Sequence, residues 1–482
     1  MSTPVATPDR PNILLITTDQ QRFDAMRLNN PATPLRTPHL DALAAKGVNF
    51  TRGYTTCPVC IPARRTLLTA HHPTSHGLTR YEDGKNWEPP FTVPQLVGDA
   101  GYQTQLIGKL HQWPQRKRFG FDHMVRSDSP NHRPDSKYHP HNDYTHWLQS
   151  FDPRIQPNNH GLNGNSRVAR PFNLEENLHQ TSWLADEAVD FLTRRRDPSM
   201  PWFLHLSFWA PHPPLVPPQA YWGLYKDHDA KPTVGDWARG LEERGSAGRP
   251  VDGAVGPFDD VELRRAMAGY FGLIQHVDDR INTVLDRYFE YGTSRRHEPT
   301  LVLFTSDHGE MLGDHHLWRK SLPYEGSAHV PLFVTGLNME TQSGTSDALV
   351  GLEDIAATIL DAAGADVPET LSGANEGKTL MPFLRGQTPH VRDRLFGQIE
   401  SGRPSNHYVV EGDFKYVRFQ QTGEEQLFDV VADPQERTDL SGDHSYLGPM
   451  RAVLNDHLAA TGQPVPDDAD LRPCGNRLPS VF

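Results

Sequence analysis

Two short apolar runs of the same form lie far apart in the chain, and each ends next to an acidic residue. The first covers residues 12–17 and is followed by Asp19, and the second covers residues 301–305 and is followed by Asp307. Uninterrupted apolar runs of this length are typical of strands buried on both faces of a parallel sheet. Two further strands are predicted over residues 202–208 and 331–334.

Helical periodicity separates these strands. It predicts helices over residues 39–46, 181–194 and 261–291, the first begun by Thr37-Pro38 and ended by Gly47. Strands that alternate with helices indicate an α/β fold, in which a large, mostly parallel sheet is covered by helices and carries its chemistry beyond the carboxyl ends of the strands. Residues 120–168 and 230–256 have neither period and are rich in polar residues and proline, so they predict long loops.

The pattern changes after about Pro389. Short alternating strands over residues 407–410, 414–419 and 426–429 precede a helix over residues 446–460, which predicts a small antiparallel sheet with one helix. We therefore divide the chain into a large N-terminal domain, residues 1–388, and a C-terminal subdomain, residues 389–482.

Composition and charge restrict the possible partners. With 482 residues, 36% hydrophobic and 22% charged, the chain is ordinary globular protein with enough length for a large core. A net charge of −13 without a lysine or arginine run argues against a nucleic-acid partner, and no apolar stretch is long enough to span a membrane. Residues 1–9 lack the features of a secretory signal, so the sequence as written predicts a cytoplasmic protein, or a periplasmic or secreted one if a signal peptide was removed.

The pentad Cys60-Ile61-Pro62-Ala63-Arg64 is the most informative short pattern. Together with Cys57 it forms a CxxC, which is compatible with a redox pair or half of a zinc site. Zinc would require a second ligand pair, and the third cysteine, Cys474, has no ligand pattern around it. The alternative is a loop that enters a helix N-terminus, where backbone amides stabilise anions.

Acidic residues at two strand ends point to ester cleavage assisted by a cation. Cleaving a sulfate or phosphate ester requires a nucleophile, a cation and a proton donor. A parallel sheet would bring Asp19 and Asp307-His308 to one edge beside Cys60. Either aspartate alone is equally compatible with a helix cap or a turn, but both together with a histidine favour a metal site.

Over nearly its whole length the chain resembles a type I sulfatase of the alkaline phosphatase superfamily. The motifs that carry the resemblance are, in order, Arg10-Pro11-Asn12, Thr37-Pro38-His39-Leu40-Asp41, Cys60-Ile61-Pro62-Ala63-Arg64, Gly101-Tyr102-Gln103-Thr104, Gly108-Lys109-Leu110-His111, Ala210-Pro211-His212-Pro213-Pro214, Ser306-Asp307-His308-Gly309-Glu310, Lys320 with Tyr324-Glu325, and Leu427-Phe428-Asp429 with Asp433-Pro434. The resemblance implies the alkaline-phosphatase-like sandwich. It also implies a maturation enzyme that oxidises Cys60 to formylglycine, an aldehyde whose hydrate is the nucleophile.

The resemblance also implies a metal site. Asp19, Asp307, His308 and the diol of modified Cys60 would hold one divalent ion, calcium being the usual one in the family. Magnesium also suits oxygen ligands, and the imidazole keeps manganese as an alternative. Many members carry two aspartates after the first strand, whereas this chain has Asp19-Gln20, so Gln20 would offer a neutral oxygen or none. A second departure is Ala70, where a glycine commonly closes the signature.

Five further side chains receive roles from the resemblance. Arg64 would stabilise the ionised diol, and Lys109 would hold the other diol oxygen and the sulfate. One diol oxygen attacks sulfur to leave a sulfated hemiacetal, and His111 then deprotonates the second hydroxyl so that sulfate is expelled. His212 is the predicted general acid, and Lys320 is the predicted sulfate clamp.

A sulfated carbohydrate is the expected substrate, with a small aryl or alkyl sulfate as the alternative. The expectation depends on loop aromatics that could stack on sugar rings, namely Trp87, Trp113, Tyr138, Tyr144, Trp147, Trp222 and Trp237. Phosphonate monoester and phosphodiester hydrolases share the fold, the cysteine signature and the Asp-Gln pair, but they generally replace the Gly-Lys-x-His motif. A non-catalytic relative that binds sulfated ligands is a third class, and the presence of every proposed side chain argues against it.

Overall fold

A large sheet forms the centre of the molecule. The computed structural model describes residues 6–129, 141–155, 160–241, 253–256, 258–293, 298–373, 375–387, 389–399, 406–475, 477 and 479–480. Its strands are β1 (Asn12–Asp19), β2 (Val48–Tyr54), β3 (Gln103–Gly108), β4 (His123–Arg126), β5 (Trp202–Pro211), β6 (Thr300–Ser306), β7 (Leu332–Leu337) and β8 (Gly344–Gly351). They lie in the order β4-β3-β5-β1-β6-β7-β2-β8.

The sheet is mostly parallel, as predicted. The strands from β4 to β6 pair in parallel, and so do β2 and β8. β7 is antiparallel to both of its neighbours. The apolar runs that predicted β1 and β6 are buried along their whole length, because helices cover both faces.

The helices of the described residues are α1 (Pro38–Lys46), α2 (Cys60–Thr69), α3 (Pro73–His76), α4 (Val93–Asp99), α5 (Asp143–Phe151), α6 (Gln180–Asp190), α7 (Gln219–Tyr225), α8 (Asp260–Arg287), α9 (Glu325–Ala328), α10 (Leu352–Ala363), α11 (Met381–Leu384) and α12 (His444–Ala460). On one face of the sheet, Leu14 and Ile16 pack in a core with α6 and α8. On the other face, Ile13 and Leu15 pack with α2, α4 and α10. Because successive side chains of β1 point to opposite faces of the sheet, this strand contributes to two separate cores.

The prediction of a long loop over residues 120–168 was only partly correct. The range 120–168 contains β4 and α5, and Asn142 caps α5 by accepting from the amide of Thr145 at 3.3 Å. Residues 130–140, with Tyr138, and residues 156–159 lie outside the described part, as do residues 242–252 of the second predicted loop. β2, β3, β8 and α10 were not predicted, because polar residues interrupt the three strands and α10 follows β8 without a break.

A second, smaller sheet follows in the chain, as predicted. It consists of β9 (Arg394–Ile399), β10 (Asn406–Glu411), β11 (Phe414–Phe419), β12 (Glu424–Asp429) and β13 (Arg472–Pro473), in the order β13-β12-β11-β10-β9. All neighbours except β12 and β13 pair antiparallel, and α12 packs through Leu447, Leu454 and Leu458 against one face. The division at residues 388/389 stays a prediction. Within the described ranges no helix combines the length and apolarity needed to cross a bilayer.

Candidate active site

Five neighbouring parallel strands each deliver polar side chains to the same edge of the large sheet. Asp128 comes shortly after β4, Lys109 follows β3, and His212 follows β5. Asp19 ends β1, and Asp307 follows β6 directly. The parallel register, with Thr18 opposite Ser306, brings the last two carboxylates together at the edge where α/β sheets place their ligands.

Four side chains at this edge form a compact set of potential metal ligands. One ligand atom from each of Asp19, Cys60, Asp307 and His308 lies within 4.8 Å of every other, and all four residues are buried. Nε2 of His308 is 3.6 Å from a carboxylate oxygen of Asp19 and of Asp307. Two carboxylates, an imidazole and an oxygen in place of the Cys60 sulfur fit a divalent cation such as calcium or manganese.

The two carboxylates of this set differ in their affinity for protons. Burial and the neighbouring Cys60 favour a protonated Asp19, but the cations around it outweigh them, so the pKa of Asp19 lies below its ordinary value. Burial and the charge of Asp19 raise the pKa of Asp307 despite His308 and Arg64. Like charges at close range separate their pKa values in this way.

Cys60 is the first residue of α2, as the loop-to-helix interpretation predicted. Its Sγ lies 3.0 Å from Nε2 of His308 and 3.9 Å from Oδ1 of Asp19. Burial alone would raise the pKa of the Cys60 thiol. The positive charges of Lys109, Lys320 and His308 together have a larger, opposite effect, so the pKa lies well below its usual range. None of the three cysteines forms a disulfide, and the Cys57 thiol donates to the carbonyl of Thr79 at 3.4 Å.

Arg64 holds the two carboxylates in place. Its Nε donates to Oδ2 of Asp307 at 2.8 Å, and its Nη2 lies 3.4 Å from Oδ2 of Asp19. Its Nη1 donates to the carbonyl of Lys109 at 2.8 Å and to Oγ of Ser207 at 2.9 Å. Burial disfavours the charged guanidinium, but Asp307 and Asp19 outweigh it and raise the pKa of Arg64. The predicted contact with an ionised diol stays a prediction.

Lys109 is fully buried and donates to Oδ2 of Asp19. Burial opposes its charge, yet the carboxylate of Asp19 raises the pKa of Lys109 above its ordinary value. Its ammonium also lies over the ring of Trp209, 4.2 Å from the ring centroid. The structure thus places a fixed positive charge beside Cys60, as sulfate binding would require.

His111 is oriented by Asp128, which the sequence did not single out. Oδ1 of Asp128 accepts from the amides of Leu110 at 2.9 Å and His111 at 3.0 Å. His111 adopts a left-handed φ of 56°, and its side chain is close enough to Cys60 to help lower the pKa of that thiol. Its buried Nδ1 has no hydrogen-bond partner among the described residues. Asp128 follows β4, just as Asp19 and Asp307 stand at the ends of β1 and β6. The sequence did not reveal this position, because residues 120–168 were predicted to form a loop.

His212 and Lys320 form a pair on the far side of the site. Nε2 of His212 lies 2.7 Å from Nζ of Lys320, and Nδ1 lies 2.8 Å from the carbonyl of Pro213. The carbonyl fixes the proton on Nδ1, so Nε2 accepts from the ammonium. Burial, followed by the charge of Lys320, lowers the pKa of His212 to about 4.

Gln20 lies beside the proposed ligands, but its carboxamide has other partners. Its Oε1 accepts from Nζ of Lys320 at 2.7 Å, and its Nε2 donates to Glu310. Only its backbone amide faces the cluster, donating to Oδ1 of Asp307 at 3.2 Å. A role for Gln20 as a metal ligand therefore stays a prediction. Glu310 also accepts from the amides of Leu312 and Arg319, which fixes the segment that carries Lys320.

Five of the seven predicted loop aromatics pack against hydrophobic cores of the described residues. Tyr144 and Trp237 are buried in cores, and Trp87 is buried against Phe119. Trp147 and Trp222 are partly buried against the core that contains α8. These rings hold segments to the core, and they give the carbohydrate prediction little support.

Comparison with known proteins identifies the family. A sequence model of the sulfatase family matches residues 11–365, and one described as N-sulphoglucosamine sulphohydrolase, C-terminal, matches residues 313–463. An arylsulfatase of Clostridium perfringens is 39% identical over 91% of this chain and 91% of its own length. A choline-sulfatase of Rhizobium meliloti is 29% identical over 90% of this chain and 83% of its own length.

Solved structures share the fold. The phosphonate monoester hydrolase SpPMH of Silicibacter pomeroyi superposes with a TM-score of 0.74 at 24% identity, over 94% of this chain and 95% of that one. At this identity the likeness shows the architecture alone. Together with the family match over most of the sequence, it shows that the chain has the alkaline-phosphatase-like fold. The chain belongs to the sulfatase family and is a sulfuric ester hydrolase.

Proposed function

We propose that the protein hydrolyses a sulfate monoester with the hydrate of a formylglycine at position 60 as its nucleophile. The observation that carries the proposal is the position of Cys60, buried at the start of α2 and 3.0 Å from His308, within the set of metal ligands. A helix N-terminus and Lys109 both stabilise a negatively charged oxygen at that point.

Asp19, Asp307 and His308, together with an oxygen on residue 60, are the proposed holders of one divalent ion. When bound, such an ion draws electron density from the nucleophile and from the sulfate oxygens. Arg64 keeps the two carboxylates in the orientation that such a site requires. We expect removal of the ion by a chelator to lower the thermal unfolding midpoint, and its return as calcium or manganese to restore it, because a ligand of the folded state stabilises it.

The remaining side chains divide the proton transfers between the two ends of the ester. His111 lies near residue 60 and is the proposed base for the second hydroxyl, whose deprotonation releases sulfate. At the other end, the His212–Lys320 pair is the proposed donor to the leaving oxygen. Because the pKa of His212 is lowered to about 4, its Nε2 accepts a hydrogen bond from Lys320, and the pair together is the proposed source of the proton. Lys109 and Lys320 are the proposed sulfate-binding cations.

A sulfated carbohydrate is the proposed substrate class. The match of residues 313–463 to a family described by an N-sulphoglucosamine sulphohydrolase supports it. A small aryl sulfate is the competing proposal, supported by the arylsulfatase that is 39% identical to this chain. A panel of sulfated monosaccharides and aryl sulfates assayed on one preparation would separate the two proposals by kcat/KM.

Phosphonate monoester hydrolysis is the second candidate function. It is favoured by the Asp19-Gln20 pair, which resembles the pair in those hydrolases. The presence of Lys109 and His111 beside Cys60 favours the sulfate ester.

The formylglycine is tested by the mass of the tryptic peptide from Gly53 to Arg64. We expect protein from the native host to give the mass of the aldehyde, and the variant Cys60→Ala to lose activity. Cys57→Ala is the matched control, because the Cys57 thiol donates to the carbonyl of Thr79, outside the proposed set of metal ligands, and we expect it to remain active. Active protein with an unmodified thiol at position 60 would refute the proposal.

A further inference from the structure

The indole of Trp209 lies between two side chains that the proposed reaction uses. One face covers the ammonium of Lys109, with Nζ 4.2 Å from the ring centroid. The ring also contacts the imidazole of His212, with the centroids 4.3 Å apart and the planes inclined by 54°. Trp209 therefore contacts the sulfate-binding end and the leaving-group end of the site at once. It lies three residues before His212, just outside the motif that identified that histidine.

Hydrogen bonds fix this ring relative to His212. Nε1 of Trp209 donates to the carbonyl of Pro213 at 3.2 Å, and Nδ1 of His212 donates to the same carbonyl at 2.8 Å. The amide of His212 in turn donates to the carbonyl of Trp209 at 3.1 Å. The two rings thus share one acceptor within one turn, so a displacement of the indole would also displace the imidazole.

The indole also completes the surroundings of a buried cation. Lys109 is fully buried, and the carboxylate that accepts from it, Asp19, belongs to the proposed metal ligands. A desolvated ammonium over an aromatic face gains an attraction that it would otherwise obtain from water. Without the indole, Lys109 would depend on a carboxylate that a metal also attracts, and its Nζ would lose a fixed position.

We propose that Trp209 is a positioning residue that sets the separation between Lys109 and His212. With that separation fixed, the sulfate is held and the leaving oxygen is protonated in a single geometry. The inference rests on the proposed function, because it takes the roles of Lys109 and His212 from it.

The test is a comparison of Trp209→Leu and Trp209→Phe across a series of sulfate esters, from p-nitrophenyl sulfate to an alkyl sulfate. We expect Trp209→Leu to lower kcat about 10-fold for p-nitrophenyl sulfate and about 100-fold for the alkyl sulfate, with little change in KM, because a poorer leaving group depends more on a well-placed proton donor. Trp209→Phe keeps an aromatic face for Lys109 but loses the bond to Pro213. It should therefore restore most of the rate for p-nitrophenyl sulfate and not for the alkyl sulfate.

Trp222→Leu is the matched control, since Trp222 is also partly buried but packs against the core that contains α8. We expect its kcat to equal that of the wild type for every ester. A loss in Trp209→Leu that is equal across the series, or an unchanged kcat, would overturn the inference. If Trp209→Leu does not fold, the dependence of kcat on the leaving group, measured with Trp209→Phe, tests the inference in the same way. A wild type without sulfatase activity would refute the proposed function itself, whereas an active wild type with indifferent Trp209 variants would refute only the role of Trp209.

Discussion

Four charged side chains at the candidate active site are almost completely removed from solvent. Asp19, Asp307 and Lys109 are fully buried, and Arg64 is 2% exposed. Isolated charges at such depth would be strongly unfavourable, so each depends on the others for its charged state. The arrangement holds Cys60 among fixed charges that need not reorganise during the reaction, which is an efficient way to stabilise a developing anion.

Several residues next to the site have left-handed backbone conformations. Gln20 has a φ of 74° and His111 a φ of 56°, and the neighbours of Lys320, Arg319 and Ser321, have φ values of 71° and 66°. Non-glycine residues in the left-handed region cost on the order of 1–3 kcal/mol each, and they persist where the surroundings over-determine them. Here Asp128 and Glu310 supply that constraint through backbone amides. Ala70, with a φ of 59°, shows why a glycine suits that position of the signature.

We predict that His111→Ala slows the second half of the reaction, the release of sulfate. If His111 deprotonates the second hydroxyl, its loss should leave the first half of the reaction intact and slow the release of sulfate. Rapid mixing with p-nitrophenyl sulfate should then show a burst of nitrophenol followed by turnover at least about 100-fold slower than in the wild type. His123→Ala is the control, because His123 contacts Gln105 on the rim of the sheet. A slow first turnover without a burst would contradict the role assigned to His111.

The elements of the site could be predicted from sequence where one local signal decides them. β1 and β6 were predicted because both are continuous apolar runs, and α2 because the cysteine pentad leads into helical spacing. The direction of β7 could not be predicted, because antiparallel pairing is set by the tertiary path of the chain. Asp128 was missed because β4 is only four residues long, and Trp209 because its contacts join two separate strand ends.

A buried ion cluster joins the second sheet to the segment that carries Lys320. Nζ of Lys415 in β11 lies 2.7 Å from Oε1 of Glu325 and 2.5 Å from Oε1 of Glu436. The amide of Glu325, the first residue of α9, donates to Oε2 of Glu436 at 2.7 Å. The small sheet therefore helps to fix α9, which begins five residues after Lys320 in the sequence.

We accordingly predict that Lys415→Met is strongly destabilising. It would leave Glu436 buried without its cation and Glu325 with His329 alone of its two basic partners, at a cost of about 3–5 kcal/mol. Chemical denaturation should show this loss, and the activity should fall as well because α9 loses an anchor. Lys226→Met removes an exposed lysine that pairs with Asp227, and it should have almost no effect. An equal stability of the two variants would contradict the structural role of the cluster.

At the scale of the whole molecule, buried histidines determine the response to acid. Burial lowers the pKa of His72 to about 4 and the pKa values of His179 and His407 to about 3, from an ordinary value of 6.5. The unfolded chain therefore binds more protons than the folded chain as the pH falls below 6.5. Three buried carboxyls, Asp278, Asp439 and Glu436, oppose this trend, because burial raises the pKa of each to about 7.

We predict that these histidines stabilise the fold fully above pH 6.5 and progressively less toward about pH 3, since each unit of pKa shift corresponds to ~1.4 kcal/mol. Denaturant midpoints measured through this window should fall steadily. His407→Gln, which cannot take up the proton, should fall less steeply than the wild type. A midpoint that stays constant across the window would show that these histidines do not limit stability.

The central claim about the molecule as a whole is that the group it transfers is a sulfate and not a phosphonate. The most direct test compares kcat/KM for p-nitrophenyl sulfate and p-nitrophenyl phenylphosphonate on one preparation supplied with calcium or manganese. Because the leaving group is the same, the ratio reports recognition of the transferred group alone. A larger kcat/KM for the sulfate is the predicted result, since Lys109 and His111 lie beside residue 60. A larger kcat/KM for the phosphonate would contradict the account and assign the protein to phosphonate ester hydrolysis.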